Sequence, residues 1–284
     1  MTGRVEIYEV GPRDGLQNEP RQIPIAEKIA LVEALGEAGF KRIEMASFVS
    51  PKWVPQMAGS AGVFAGMTRR AGVSYVALAP NVRGYQDAMA AGADEVAVFL
   101  SASEGFSRAN LNASIDDSFD RAAEVAACAE ADGTRLRAYV SCVVECPFEG
   151  PVAPTAVAHL VTRLRAIAAY EVSLGDTIGK GTPETIDAML AAVLDEIEPQ
   201  MLAGHYHDTN GRALENIEVS LSRGLRVFDA SVGGLGGCPY APGAAGNVAS
   251  EDVNARLLDL GFQTGLDQDG LVAAADMARA MRGP

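Results

Sequence analysis

The sequence predicts a single-domain α/β protein built as a (β/α)8 (TIM) barrel, and three observations carry that expectation. Eight short runs rich in β-branched residues alternate with amphipathic, helix-period segments. Five times a glycine stands where an amphipathic segment gives way to the next such run. The 284 residues also match the roughly 250 that eight strand–helix units occupy. A doubly wound open sheet of similar length is the alternative, but no GxGxxG follows the first strand, where a dinucleotide fold would carry it.

The first strand is VEIYEV at 5–10. Pro24 then opens a helix whose Ile25, Ile29, Val32 and Leu35 share one face, and Gly39 ends it ahead of Arg42-Ile43-Glu44-Met45. Gly72 precedes VSYVALA, Gly92 precedes DEVAVFL and Gly133 precedes TRLRAYVSC. Glycine just past a helix end takes the left-handed conformation that caps it, so each of these junctions reads as helix, cap, strand. The sixth strand is YEVSL at 170–174. Thr182-Pro183-Glu184 supplies an N-cap, a first-turn proline and a first-turn acid to a helix carrying Ile186, Leu190, Val193 and Ile197, and Pro199 stops it. MLAGHYH at 201–207 is the seventh strand, and Gly224 introduces the eighth, LRVFDASV. No linker, low-complexity tract or charge run divides the chain. The whole of 1–284 is therefore expected to be one catalytic domain, with a glycine-rich lid loop at 232–246 and C-terminal helices over 248–284.

Bulk composition narrows the function classes. A net charge of −14, from 37 acidic and 23 basic residues, argues against a nucleic-acid-binding face, yet a locally basic pocket inside an acidic envelope could still hold an anionic ligand. No stretch reaches the roughly 18 unbroken apolar residues of a membrane span. MTGRVEIYEV has neither a signal-peptide apolar run nor an Arg/Ser-rich presequence, so a cytoplasmic protein without membrane partners is expected. Cys128, Cys142, Cys146 and Cys238 form no CxxC pair and read as free thiols, Cys142 and Cys146 as ordinary buried ones.

In such a barrel, catalytic groups sit at the C-terminal ends of strands and in the loops that follow, and the unusual residues of this chain fall there. Gly11-Pro12-Arg13-Asp14-Gly15 follows the first strand as a tight turn presenting an Arg beside an Asp. Glu44 ends the second strand and Ser47 follows it; Gly175-Asp176-Thr177 follows the sixth. The seventh ends in His205-Tyr206-His207-Asp208, and Asn247 stands just before a helix. Residues i and i+2 of a strand point to one face, so His205 and His207 project together into the barrel mouth as a metal-binding pair. His159, the third histidine, reads as a surface or packing residue of a helix. Two imidazoles joined by carboxylate and amide oxygens suit an octahedral divalent ion, Mg2+ or Mn2+. Asp14 and Asn247 could supply those oxygens, although an Asp in a turn is also a common turn-former. The loop Val232-Gly233-Gly234-Leu235-Gly236-Gly237-Cys238 reads as a phosphate cradle, a mobile lid carrying a thiol, or a tight crossover.

EVGPRDGLQNEP, SFVSPKWVPQM, SLGDTIGKGTP, HYHDTNGRAL and GGLGGCPYAPGAAGNVASEDV resemble the 3-hydroxy-3-methylglutaryl-CoA lyases, in order and over essentially the whole chain. The resemblance implies that Asp14, His205, His207 and Asn247 are metal ligands and that Arg13 faces the thioester carbonyl and stabilises the enolate. It also implies that Glu44 supports this cluster, that Cys238 is the thiol of the mobile loop and that Asp176 is the acidic residue after the sixth strand. Gln17, Ser47 and Thr177 would contact the hydroxymethylglutaryl group. The implied reaction cleaves an acyl-CoA substrate to acetoacetate and acetyl-CoA, and the implied assembly is a homodimer. Where an aromatic residue and a Gln are expected, this chain has Asn210 and Arg212, which could reshape the acyl pocket. The chain also stops at Arg282-Gly283-Pro284 without the cysteine-bearing extension of animal relatives. The alternatives are a lyase for a longer branched 3-hydroxyglutaryl-CoA, an acetyl-CoA-dependent synthase, a ketoacid aldolase and a metal-binding barrel without catalysis.

Overall fold

Eight parallel strands, each short and flanked by its own turn chemistry, close into a ring in the computed structural model, which describes residues 3–236 and 246–282. They are β1 (Glu6–Glu9), β2 (Arg42–Ser47), β3 (Ser74–Leu78), β4 (Glu95–Ser101), β5 (Arg135–Ser141), β6 (Glu171–Asp176), β7 (Leu202–Tyr206) and β8 (Val227–Ala230). Every strand pairs with its neighbours in sequence, and β1 closes the ring on β8 through Glu6↔Val227 to Glu9↔Ala230. This is the (β/α)8 barrel the sequence predicts. Its helices are α1 (Ile25–Glu37), α2 (Ser60–Gly66), α3 (Val82–Ala91), α4 (Glu104–Leu111) and α5 (Ile115–Asp132), then α6 (Pro154–Ala166), α7 (Pro183–Leu194), α8 (Ala213–Ser222), α9 (Ser250–Asp259) and α10 (Gln268–Met281).

Strand alternation divides the packing. Outward residues such as Val5, Ile7, Ile43, Val96 and Val172 are buried beneath the helices in one large apolar cluster. Inward residues form a smaller cluster of Tyr8, Val10, Val76, Leu78, Ala97 and Tyr139 above a layer of paired charges. Arg137 lies fully buried in that layer, donating to Asp229 at 2.6 Å and to Glu171 at 2.7 Å, with its guanidinium 3.9 Å from the Tyr8 ring centre. Arg42 joins Glu171 to Glu6 from below. A buried cation survives in this place because two carboxylates and two aromatic faces offset its lost hydration.

Local expectations hold with three differences. All five junction glycines take positive φ, between 67° and 104°. Gly39, Gly92, Gly133 and Gly224 end helices, whereas Gly72 lies six residues beyond the end of α2 and turns the chain into β3. Ser47 belongs to β2, because a bulge between Glu44 and Ala46 resets the register and places Ser47 opposite Leu78. The 11–15 segment is one π-helical turn: the N–H groups of Arg13, Asp14 and Gly15 all donate to the Val10 carbonyl. Thr182 caps α7 as its sequence predicts, accepting from the Thr185 N–H.

Candidate active site

Inward alternation on β7 aims His205 into the barrel mouth, and His207 follows on the same side with its ring centre 5.4 Å from that of His205. Asp229 on β8 lies 3.2 Å from His205 Nδ1, and Arg137 and the Ser173 hydroxyl hold that carboxylate in place. With Nδ1 so engaged, Nε2 is the nitrogen His205 has left for a ligand. His207 Nδ1 is buried without a hydrogen-bond partner. The π-helical turn after β1 brings Asp14 to both imidazoles, so that one ligand atom from each of the three residues lies within 4.8 Å of the others. Asn247 donates through Nδ2 to Asp14 Oδ2 at 2.8 Å, and its backbone bridges to His207. A side chain on Gly236 would meet Asn247 Nδ2 at 2.9 Å, so the glycine-rich segment can pass this close only as glycine.

Electrostatics leave these groups in ligand-ready states. Burial alone would raise the Asp14 carboxyl, but the Arg13 guanidinium and the two imidazoles bring it down to about 2. Burial, with His205 alongside, pushes His207 down to about 4, so its imidazole is neutral at physiological pH. A carboxylate and two imidazoles, one of them with an unpartnered buried nitrogen, form a donor set that fits a divalent cation.

Arg13 is the hinge between this cluster and the barrel interior. Its Nε donates to Glu44, and its Nη1 lies 2.5 Å from Asp14 Oδ1. The other Glu44 oxygen accepts from the Tyr139 hydroxyl at 2.7 Å and the Tyr8 hydroxyl at 3.3 Å. The Tyr139 ring also lies 5.5 Å from the Arg13 guanidinium and meets His205 edge-on. Tyr8, Tyr139, Arg137 and Asp229 were not singled out in the sequence. Their shared signal is a polar residue on the inward face of a strand, two residues from another polar one.

A cavity of about 710 Å3 opens above these groups, lined by Arg13, Asp14, Gln17, Thr177, His205 and His207, with Leu78, Phe99 and Val140 as apolar wall. Arg108 and Arg121 from α4 and α5 also line it, as does Trp53, which is 84% exposed. The other expected site residues lie elsewhere. Glu44 sits beneath Arg13, and Ser47 is buried with its hydroxyl unpartnered and outside the cavity wall. Asp176 points away from the barrel axis, because Gly175 takes the inward position. Its carboxylate accepts from the Lys180 N–H at 3.1 Å and the Gly181 N–H at 2.7 Å, and burial pushes it up to about 6. Asn210 and Arg212 are exposed and line none of the described cavity; Asn210 donates to the Gly179 carbonyl instead. Cys238 lies outside the described residues. Cys142 and Cys146 are buried, and burial pushes the Cys142 thiol up to about 12, as befits an inert packing residue. His159 is exposed on α6.

Known proteins resemble the chain throughout its length. The HMGL-like family profile matches residues 4–278. A 3-hydroxy-3-isohexenylglutaryl-CoA/hydroxy-methylglutaryl-CoA lyase of Pseudomonas aeruginosa is 54% identical over 280 residues, which span 99% of this chain and 93% of that one. Among solved structures, an HMG-CoA lyase from Brucella melitensis is 58% identical with a TM-score of 0.98, covering 99% of this chain and 100% of its own. An HMG-CoA lyase from Acinetobacter baumannii, in complex with coenzyme A and 3-methylmalate, is 37% identical with a TM-score of 0.93 and coverages of 99% and 92%.

Proposed function

The chain belongs to the hydroxymethylglutaryl-CoA lyase family, and from that premise we propose that it cleaves 3-hydroxy-3-methylglutaryl-CoA to acetoacetate and acetyl-CoA. The observation that carries the reading is the convergence of Arg13 and Asp14 with His205 and His207 on one cavity at the barrel mouth. Asp14, His205, His207 and Asn247 would hold a divalent cation, Mg2+ or Mn2+. When bound, that cation would lower the pKa of the substrate hydroxyl and tether the substrate carboxylate.

The chain's own residues then divide the work. Asp14 or a neighbouring imidazole accepts the hydroxyl proton as the carbon–carbon bond opens and the new carbonyl forms. Negative charge passes to the thioester oxygen of the departing enolate. Arg13, locked by Glu44 and the two tyrosines, presents a fixed cation there that stabilises the transition state more than the ground state. Cys238 is the proposed donor of the final proton to the carbanion. Gln17 and Thr177 contact the acyl group, and Asp176 braces the loop that begins with Thr177. Arg108 and Arg121 in the cavity lining suit the phosphates of an acyl-CoA, despite the acidic whole. The reading includes one catalytic unit over 1–284, a homodimer, which light scattering tests, and a cytoplasmic setting. No helix among the described residues is long and apolar enough to cross a membrane.

The decisive experiment incubates purified protein and Mg2+ with a panel of 3-hydroxy-3-alkylglutaryl-CoAs and follows acetyl-CoA release. Release from the methyl substrate is expected. No release from any, with metal demonstrably bound, defeats the lyase reading. Release only from a longer branched substrate, such as the isohexenyl compound in the name of the Pseudomonas relative, keeps the reaction and changes the acyl group.

A further inference from the structure

Glu9 ends β1 and is fully buried. Tyr8 and Val10 take the inward positions of that strand, so Glu9 points outward, where Val5 and Ile7 enter the apolar layer. Among the described residues no cation pairs with it, and burial pushes its carboxyl up to about 7. Three donors hold it instead. The Gly11 N–H donates to Oε1 at 2.7 Å, the Val232 N–H to the same oxygen at 2.9 Å, and the Ser250 hydroxyl to Oε2 at 2.6 Å. A side chain on Gly11 would fall 2.5 Å from Oε1, so the turn needs glycine at that point for the carboxylate to reach it.

The donors come from three separate stretches, each of which carries part of the site. Gly11 starts the π-helical turn that presents Arg13 and Asp14. Val232 starts the short turn that leads into Gly236, packed against Asn247. Ser250 starts α9, three residues after Asn247, and Ser231 bridges to Ala249 between them. His205 is placed by β7, and His207, one residue beyond that strand, meets the clipped segment only through its backbone bridge to Asn247.

We propose that Glu9 is a positioning residue for the lyase reaction: its carboxylate sets the Arg13–Asp14 turn against the Asn247 segment without itself touching substrate or metal. The inference rests on the proposed lyase reading for its kinetic consequence and on the fold alone for its structural one. A displacement of about 1 Å in such groups is enough to cost on the order of a hundredfold in rate.

Glu9→Ala and Glu9→Gln test it. Gln keeps one oxygen for the two N–H donors, and its amide can donate to the Ser250 hydroxyl, so Glu9→Gln is expected within about threefold of wild-type kcat. Glu9→Ala is expected to lose about 30- to 100-fold in kcat with KM changed by less than about threefold. In the metal-free protein, hydrogen–deuterium exchange should quicken at 10–16, 231–236 and 246–250 and nowhere else. If Glu9→Ala does not fold, Ser250→Ala removes only the Oε2 contact and should show the same exchange pattern with a smaller loss. Wild-type kcat in Glu9→Ala, a Gln variant as impaired as the Ala variant, or faster exchange throughout the chain would each overturn the proposal. Exchange needs no acyl-CoA, so it still judges Glu9 should the lyase reading fail.

Discussion

Arg13 donates through Nε to Glu44 while its Nη1 lies 2.5 Å from Asp14, so one guanidinium joins the floor of the site to a candidate metal ligand. Only a planar fork with several donors can serve both carboxylates and still face a substrate oxygen. Arg13→Lys keeps the charge and loses the fork. It is expected to lower kcat by about 10²- to 10³-fold, the usual cost of one fixed oxyanion donor, with a smaller change in KM. Steady-state acetyl-CoA release measures both, and a Lys variant with wild-type kcat would remove Arg13 from the chemistry.

Tyr139→Phe isolates the support beneath that guanidinium. The substitution keeps the ring against Arg13 and His205 and removes the hydroxyl that donates to Glu44 at 2.7 Å. The Tyr8 hydroxyl at 3.3 Å remains, so Glu44 is weakened and not abandoned. A loss of about 1.5–3 kcal/mol in denaturant unfolding is expected from one hydrogen bond to a charged acceptor, together with about tenfold in kcat as Arg13 loosens. Stability loss with unchanged kcat would show that Arg13 holds its place without Tyr139.

Much of this site was legible because strand parity is a local rule. His205-x-His207 on a strand end needs only the two-residue repeat to put both imidazoles in the barrel mouth, and Arg13-Asp14 needs only its place after the first strand. The same rule, followed one step further, turns Asp176 outward once Gly175 is inward. The place of Asp176 after the strand suggests a site residue, but its phase along the strand does not. Asp229 and Arg137 escaped notice because their partnership spans 92 residues and depends on the closed ring. Glu9 did carry a signal, a carboxylate on the apolar face of VEIYEV, but its partners Val232 and Ser250 lie 223 and 241 residues away. Asn210 looked like a pocket residue because it follows the histidine pair closely, yet its amide is taken up by the Gly179 carbonyl.

His207 sets a pH expectation. Its folded value near 4 lies below the ordinary 6.5, so between those values the unfolded chain binds the proton that the folded chain refuses. Its contribution therefore opposes folding increasingly as pH falls from 6.5 to 4. Glu9, raised to about 7, and Asp176, raised to about 6, act in the opposite sense: they keep protons when folded that the unfolded chain releases, and so favour folding as pH falls. Total stability mixes these terms, so the clean measurement is the NMR titration of His207 itself in metal-free protein, assigned by substituting His159 and His205. A midpoint near 4 is expected. One near 6.5 would mean that solvent reaches the ring.

Asp176→Asn separates a positioning role from direct participation. The Asp176 carboxylate accepts from the Lys180 and Gly181 amides and so fixes the loop that begins with Thr177, which lines the cavity. Asparagine offers one acceptor oxygen in place of two, leaving one of these amides without its partner at a cost of about 1–2 kcal/mol. The expected result is a KM raised severalfold and kcat reduced by no more than about tenfold, because the group that moves is a substrate contact and not a reacting atom. Hydrogen–deuterium exchange at 177–181 should quicken in parallel. A loss of 10³-fold or more in kcat, with exchange in that loop unchanged, is the signature of a group at the reaction centre. That outcome would require Asp176 to turn toward the barrel mouth when substrate binds.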